Sequence, residues 1–342
     1  MTGRIKTEFL PAHTARQIEA AVRRAVELLR AGEVVALPTE TVYGLAANAL
    51  DARAVARIYE AKGRPVYNPI IVHVAGEPMA RRCVSSWPPT AQRLAAAFWP
   101  GPLTLVLPRS GEIPDVVTAG GGTVGVRWPR HPFMQAVIEA CGFPLAAPSA
   151  NPSNMISPTR AEHVRKGLAG RVALIVDGGP SQVGIESTVL DLTGGRPRVL
   201  RPGTIHEESL LAVLGQSESP EAEVSRPAGS SLRSPGLLPK HYAPKAKLLI
   251  WSWQDERDLR EQIRLVPAVA GQCHIIAHSH IPSAAGLGGV SMIPHDAAAF
   301  ARAIYAELHR CDEAGAAWII VEAPPAGVEW SGIADRLRRA SS

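Results

Sequence analysis

Lys62 and Arg64 are two cations separated by one glycine, just past a helical segment. Arg127 and Arg201 add two more cations in loops framed by Gly or Pro. Ser149, Asn151, Ser157 and Ser187 supply hydrogen-bonding partners in loops of the same kind. Such a set describes an anion site, and a polyphosphate suits it best. A single surface Lys or Arg is usually only solvated. Four cations in loops of one type weigh against that reading here. The loops are Pro38–Leu45 (PTETVYGL), Lys62–Pro65, Asn68–His73, Trp99–Thr104, Thr123 with Arg127, Pro148–Asn151, Ser157–Thr159, Gly184–Thr188 and Arg201–Gly203. Each follows or ends a predicted strand, and ligands of open α/β sheets sit beyond strand ends. His73, between Val72 and Val74, reads by itself as a core histidine. No G-x-S-x-G, H-E-x-x-H or Ser-His-Asp signature is present. His274, His278 and His280 lie close together, but their spacing assigns no metal site.

These loops need elements to hold them. Thr14 and Gln17 form a capping box for a helix whose inner face carries Ile18, Val22, Ala25 and Leu29. Val34–Leu37 reads as a strand, and 51–61 as a helix. Pro69–Val74, Leu103–Leu107, Thr123–Trp128, Pro144–Ala147, Val172–Val176, Ser187–Leu192 and Arg198–Leu200 read as further strands. Pro132–Cys141 reads as a helix. Thr159 and Glu162 predict a second capping box, opening a helix to Leu168. The expectation is an α/β domain with a mixed, twisted sheet. From Gln216 to Lys247 the chain is rich in Ser, Pro and Gly and has no periodicity, the pattern of a long linker. Beyond it, strands at 248–251, 273–277, 290–293 and 317–321 alternate with helices near 256–265 and 296–311. This predicts a small βαβ-type domain. The organisation is therefore 1–215, a linker at 216–247, and 248–342.

Composition bounds the function classes. The chain has 342 residues, a formal charge of +5, and 30 Gly and 30 Pro. The Gly and Pro content favours many functional loops over a helical bundle. No stretch approaches the roughly 20 apolar residues of a membrane span. The N-terminal residues, with Arg4, Lys6 and Glu8, do not read as a secretory signal. Cys83, Cys141, Cys273 and Cys311 are widely spaced, as expected of buried thiols in a reducing cytoplasm.

PTETVYGL, KGRP at 62–65, Asn68–His73, WPGPL at 99–103, PSAN at 148–151, ESTV at 186–189 and LRPG at 200–203 resemble the YrdC-type domain. SPGLLPKHYAP at 234–244, followed by a βα unit, resembles the two-domain threonylcarbamoyl-AMP synthases. The segments occur in family order over almost the whole chain. The resemblance implies a YrdC-type mixed sheet with flanking helices and a smaller Rossmann-like C-terminal domain. It implies synthesis of L-threonylcarbamoyl-adenylate from L-threonine, bicarbonate or CO2, and ATP, with Mg2+ accompanying the triphosphate. Lys62, Arg64, Ser149 and Asn151 would be catalytic. Asn68, Thr123, Ser157, Arg201 and Tyr242 would join them in binding ATP. Thr41, His73, Arg127, the backbone at Ala147, and Ser187 would bind L-threonine. The linker would close over the site through Lys240–Pro244. The product would pass to a tRNA threonylcarbamoyl-transferase complex, and weak contact with RNA is compatible with the charge.

Two alternatives differ in kind. An RNA-binding module without turnover would need a basic face with interleaved aromatics. The chain has only seven Trp, five Tyr and five Phe, and its cations sit in strand-end loops. A carbamoyl-adenylate-forming carbamoyltransferase would use a similar domain within a much longer chain.

Overall fold

The structure is a computed structural model that describes residues 5–215, 242–265 and 271–341. Its strands are β1 (Glu8–Pro11), β2 (Val35–Leu37), β3 (Gly44–Asn48), β4 (Val72–His73), β5 (Leu103–Pro108), β6 (Thr123–Arg127), β7 (Leu145–Ala146), β8 (Leu174–Asp177), β9 (Thr188–Asp191), β10 (Arg198–Arg201), β11 (Lys247–Trp251), β12 (Cys273–Ala277), β13 (Gly289–Met292) and β14 (Trp318–Glu322). Its helices are α1 (Ala15–Arg30), α2 (Ala52–Lys62), α3 (Glu77–Cys83), α4 (Pro89–Phe98), α5 (Asp115–Thr118), α6 (Pro132–Cys141), α7 (Ala161–Leu168), α8 (Glu207–Leu214), α9 (Glu256–Ile263), α10 (Ala297–Glu313) and α11 (Ser331–Ala340).

Ten strands form one mixed sheet in the order β1-β8-β2-β3-β7-β4-β6-β5-β9-β10. Parallel pairs such as β4 with β6 and β5 with β9 alternate with antiparallel ones such as β5 with β6. The second sheet, β11-β14-β12-β13, is wholly parallel. The mixed α/β architecture with a smaller parallel domain is thus as expected from the sequence.

Local chemistry sets several boundaries. Thr14 caps α1 with both halves of the capping box formed. Gly63 ends α2 at φ 60°, the left-handed conformation that glycine adopts without a Cβ penalty. Some expectations fail. The strand read at Pro69–Val74 contracts to Val72–His73. Apolar runs alone do not secure strand pairing, and here the Ile70 N–H bonds the Val117 carbonyl outside the sheet. Thr159 does not cap the helix at 161. Arg160 is the N-cap residue without a side-chain bond, and Thr159 instead donates its backbone N–H to His163 Nδ1 at 3.3 Å. The sequence reading also passes over β1, β3, α3, α4, α5, α8 and α11.

All four cysteines are free and buried. No helix among the described residues is long and apolar enough to cross a membrane. One apolar cluster joins the two parts: Val42, Ile156 and Ile185 pack with Tyr242, Phe300, Ile304 and Trp330. Gly184 sits at that seam with φ +87°. A Cβ there would lie 2.3 Å from the Ala301 carbonyl oxygen, so no side chain fits.

Candidate active site

A cleft with a cavity volume of about 50 Å³ opens where β2, β4 and β6 end and β9 begins. His73 and Arg127 are register partners on parallel strands β4 and β6, so they share one face at the same level. Arg127 is buried. It donates from Nε to the Gly101 carbonyl (3.2 Å), from Nη1 to Thr41 Oγ1 (3.1 Å) and from Nη2 to Glu40 Oε1 (2.6 Å). Three of its five N–H groups are thereby fixed. Burial alone would push the Glu40 carboxyl up. The Arg127 charge and the Arg130 backbone N–H outweigh it and hold the carboxyl below its ordinary value.

His73 is buried, and its Nδ1 has no hydrogen-bond partner among the described residues. Burial, aided by the Arg127 charge, pushes its pKa down to about 3. The ring is therefore neutral near pH 7, with an unused polar atom in a residue that lines the cleft. On the other wall, Arg201 Nε donates to the Ser187 carbonyl (3.0 Å) and its Nη2 to Ser187 Oγ (3.1 Å). Ser187 Oγ also lies 2.8 Å from Thr104 Oγ1.

Thr41, His73, Arg127, Ala147, Ser187, Ser149, Arg64, Arg201 and Tyr242 all line this cleft. Lys62, Asn151 and Ser157 form the layer behind it. Lys62 ends α2 and is buried, with only 2% of its surface exposed, and Arg64 is buried beside it. The alternative of merely solvated surface cations thus fails for both residues. Lys62 Nζ donates to the Ser149 and Asn151 carbonyls and to Asn151 Oδ1. Its three N–H groups are used to hold the 149–151 loop. Burial, with Arg64 nearby, lowers its pKa well below the usual lysine value. Arg64 donates to the Asn68 and Pro69 carbonyls at 3.1 and 2.8 Å. Burial lowers its pKa to about 10.

Two expected residues lie elsewhere. Thr123 lines a smaller pocket with Thr104 and Thr118, which meets the cleft at Ile71. Asn68 is fully buried, and both its amide atoms lack partners among the described residues. Lys240 and His241 lie outside the described residues, as does most of the linker. Tyr242 is buried at φ 62°, a costly backbone for a bulky residue and one that clusters at functional sites.

Sequence reasoning missed Glu186 as a wall residue and everything contributed by α10 and α11. Glu186 accepts from Ser157 Oγ (2.5 Å), Tyr305 Oη (3.1 Å) and Arg336 Nε (2.8 Å). Arg336 also sits over the Tyr242 ring at 5.4 Å. A signal existed: Ile333, Arg336, Leu337 and Ala340 share one helical face, so a charge interrupts an apolar stripe.

Residues 27–203 match the family model for Sua5, YciO and YrdC, described as telomere recombination. The chain belongs to this family. Residues 205–342 match the model described as threonylcarbamoyl-AMP synthase, C-terminal domain. The chain is 46% identical to the threonylcarbamoyl-AMP synthase of Pyrococcus abyssi over 232 residues, 68% of each chain. It is 48% identical to that of Bacillus subtilis over 237 residues, 69% of this chain and 68% of the relative. The crystal structure of P. abyssi Sua5 complexed with L-threonine superposes with a TM-score of 0.88 at 36% identity, covering 98% of this chain and 97% of that one. The likeness to this Sua5 structure thus extends over both parts of the chain.

Proposed function

We propose that the cleft is the catalytic centre of an L-threonylcarbamoyl-adenylate synthase. The chain joins L-threonine, bicarbonate or CO2, and ATP, and releases pyrophosphate. The observation that carries this reading is the composition of the cleft wall. Arg127, Thr41 and the neutral His73 line one cavity with Arg64, Arg201 and Ser149. One side suits a small amino acid, the other a polyphosphate.

The chemistry needs two bonds. With CO2, the threonine nitrogen bonds to carbon and two protons leave its ammonium group, giving a carbamate. A carbamate oxygen then bonds to the α-phosphorus of ATP, and the bond from that phosphorus to the bridging oxygen breaks, releasing pyrophosphate. Such transfer depends on positioning and charge neutralisation. The unused N–H groups of Arg127 suit the substrate carboxylate. The hydroxyls of Thr41 and Ser187 and the Nδ1 of His73 suit the threonine hydroxyl and amine. Arg64 and Arg201 face the triphosphate. Lys62 holds Ser149 and Asn151 in place beneath it. Tyr242 closes one wall and limits access of water to the mixed anhydride.

Mg2+ fits as a companion of ATP. Among the described residues no group of three His, Cys, Asp or Glu could hold an ion. The cleft offers the Ser149 hydroxyl, a hard oxygen donor suited to an ion held mostly by phosphates and water. When bound, Mg2+ neutralises triphosphate charge.

The product is a reactive acyl adenylate, so a transferase acting on tRNA is the class of partner that consumes it, in the cytoplasm. The deciding experiment is pyrophosphate release from ATP with and without L-threonine and bicarbonate. Release that requires both is expected. Release independent of threonine would refute the reading. RNA binding with a steep salt dependence and no ATP turnover would support the binding-module alternative instead.

A further inference from the structure

Two hydroxyl residues of the cleft, Thr41 and Ser187, are each held by an arginine and by a second, buried threonine. Their protons end up pointing in opposite senses. Thr39 decides the first. Its Oγ1 lies 2.5 Å from the Val42 carbonyl, which can only accept, so the Thr39 proton is used there. The same oxygen accepts the Thr41 backbone N–H at 3.3 Å and lies 3.0 Å from Thr41 Oγ1. With no proton left on Thr39, Thr41 is the donor in that contact. Arg127 Nη1, which can only donate, bonds Thr41 Oγ1 at 3.1 Å. Thr41 thus has its proton turned inward and one lone pair left. Toward a ligand it is an acceptor only.

Thr104 decides the second. It is fully buried on β5, and its Oγ1 meets Ser187 Oγ at 2.8 Å and no other partner among the described residues. Were Ser187 the donor, the Thr104 proton would be buried without an acceptor, which is costly. Thr104 is therefore the donor. Arg201 Nη2 donates to the same Ser187 oxygen at 3.1 Å. Both lone pairs of Ser187 are then filled, and its own proton has no acceptor among the described residues. Toward a ligand Ser187 is a donor only.

We propose that Thr39 and Thr104 are positioning residues that fix the hydrogen-bond polarity of the substrate pocket. Thr41 accepts an N–H or O–H of the bound amino acid, and Ser187 donates to one of its oxygens. An ammonium or hydroxyl proton fits at Thr41, and a carboxylate or hydroxyl oxygen fits at Ser187. The reverse placement would set lone pair against lone pair and proton against proton, so the pocket selects one orientation of the amino acid. This inference rests on the synthase reading of the cleft.

The test measures kcat, KM for L-threonine and KM for ATP in pyrophosphate release. Thr39→Val nearly keeps the side-chain shape but frees the Thr41 proton to turn into the cleft. KM for L-threonine should rise about tenfold with KM for ATP unchanged, and Thr39→Ser should restore it. Thr104→Val should raise the same constant about threefold, with rescue by Thr104→Ser. Because Thr39 acts through Thr41, adding Thr39→Val to Thr41→Val should cost nothing further. L-2-Aminobutyrate, which lacks the hydroxyl, separates the two proton sources. A loss shared with it assigns Thr41 to the amine, and a loss confined to L-threonine assigns Thr41 to the hydroxyl. An unchanged KM for L-threonine in either valine variant would overturn the proposal. So would a Thr39→Ser variant as impaired as Thr39→Val, or a double variant much worse than Thr41→Val. Wild-type release that ignores L-threonine would instead refute the synthase reading, and this inference with it.

Discussion

Glu186 and Arg336 are 150 residues apart in the chain, yet the Arg336 Nε donates to Glu186 Oε2 at 2.8 Å with both side chains buried. Arg336 also donates to the Glu186 and Pro202 backbone carbonyls. Burial would push the Glu186 carboxyl up, but the charges of Arg336 and Arg201 hold it below its ordinary value. Removing one partner of such a pair strands a buried charge, at a cost of about 3–5 kcal/mol. Arg336→Met should lower the urea midpoint strongly and depress pyrophosphate release. Adding Glu186→Gln should recover part of the stability. A single variant as stable as wild type would show that the pair does not brace the cleft.

Lys62→Ala and Arg64→Ala should each reduce threonine-dependent pyrophosphate release by a hundredfold or more, on the order of 3 kcal/mol of transition-state stabilisation. Lys62→Ala should also destabilise the fold, because three oxygens of the 149–151 loop lose their donor. Lys62→Ala with normal turnover would remove this residue from the site.

Substrate choice should follow the hydroxyl. A site built to hydrogen-bond a hydroxyl rejects an analogue lacking it far better than one differing by a methyl group. L-Serine should react slowly and L-2-aminobutyrate more slowly still, measured as kcat/KM for pyrophosphate release. Equal values for all three would mean that Thr41, His73 and Ser187 do not read the hydroxyl.

Acid should loosen the seam between α7 and α10. His163 and His309 stack there with ring centroids 3.8 Å apart. Burial, then the neighbouring His309, Arg160 and Lys166, pushes His163 down to about 3. Burial also lowers His309, against the opposing pull of the Ser157 carbonyl, Asp312 and Glu313. An unfolded histidine titrates near 6.5, so below about pH 6.5 the unfolded chain binds more protons. The stability His163 contributes is complete above that pH and is lost as pH falls towards 3. Glu40 and Glu186, whose carboxyls are lowered, lose theirs only below about pH 4.5. The fall in urea midpoint between about pH 7 and about pH 5 should therefore be smaller in His163→Phe than in wild type. An identical fall would clear the pair of this role.

The sequence by itself determined the punctuation of the fold. The capping box at Thr14 and Gln17, the Gly63 stop and the Pro132 helix start each act over a few residues, so they are legible locally. The loop motifs from Thr39 to Arg201 named most of the cleft wall in advance, because each is a short run of polar residues between Gly and Pro. What stayed hidden depends on partners distant in sequence. The apolar run at 69–74 looked like a full strand, but only Val72 and His73 find partners on both sides. Lys62 was legible as part of an anion site, but not as a buried cation under the 149–151 loop. Glu186 acquired its role only when α10 and α11 brought Tyr305 and Arg336 against it. Caps and turns are decided by neighbours in the chain. Burial, ion pairing and the charge state of a side chain are decided by neighbours in space, and only the tertiary structure supplies those.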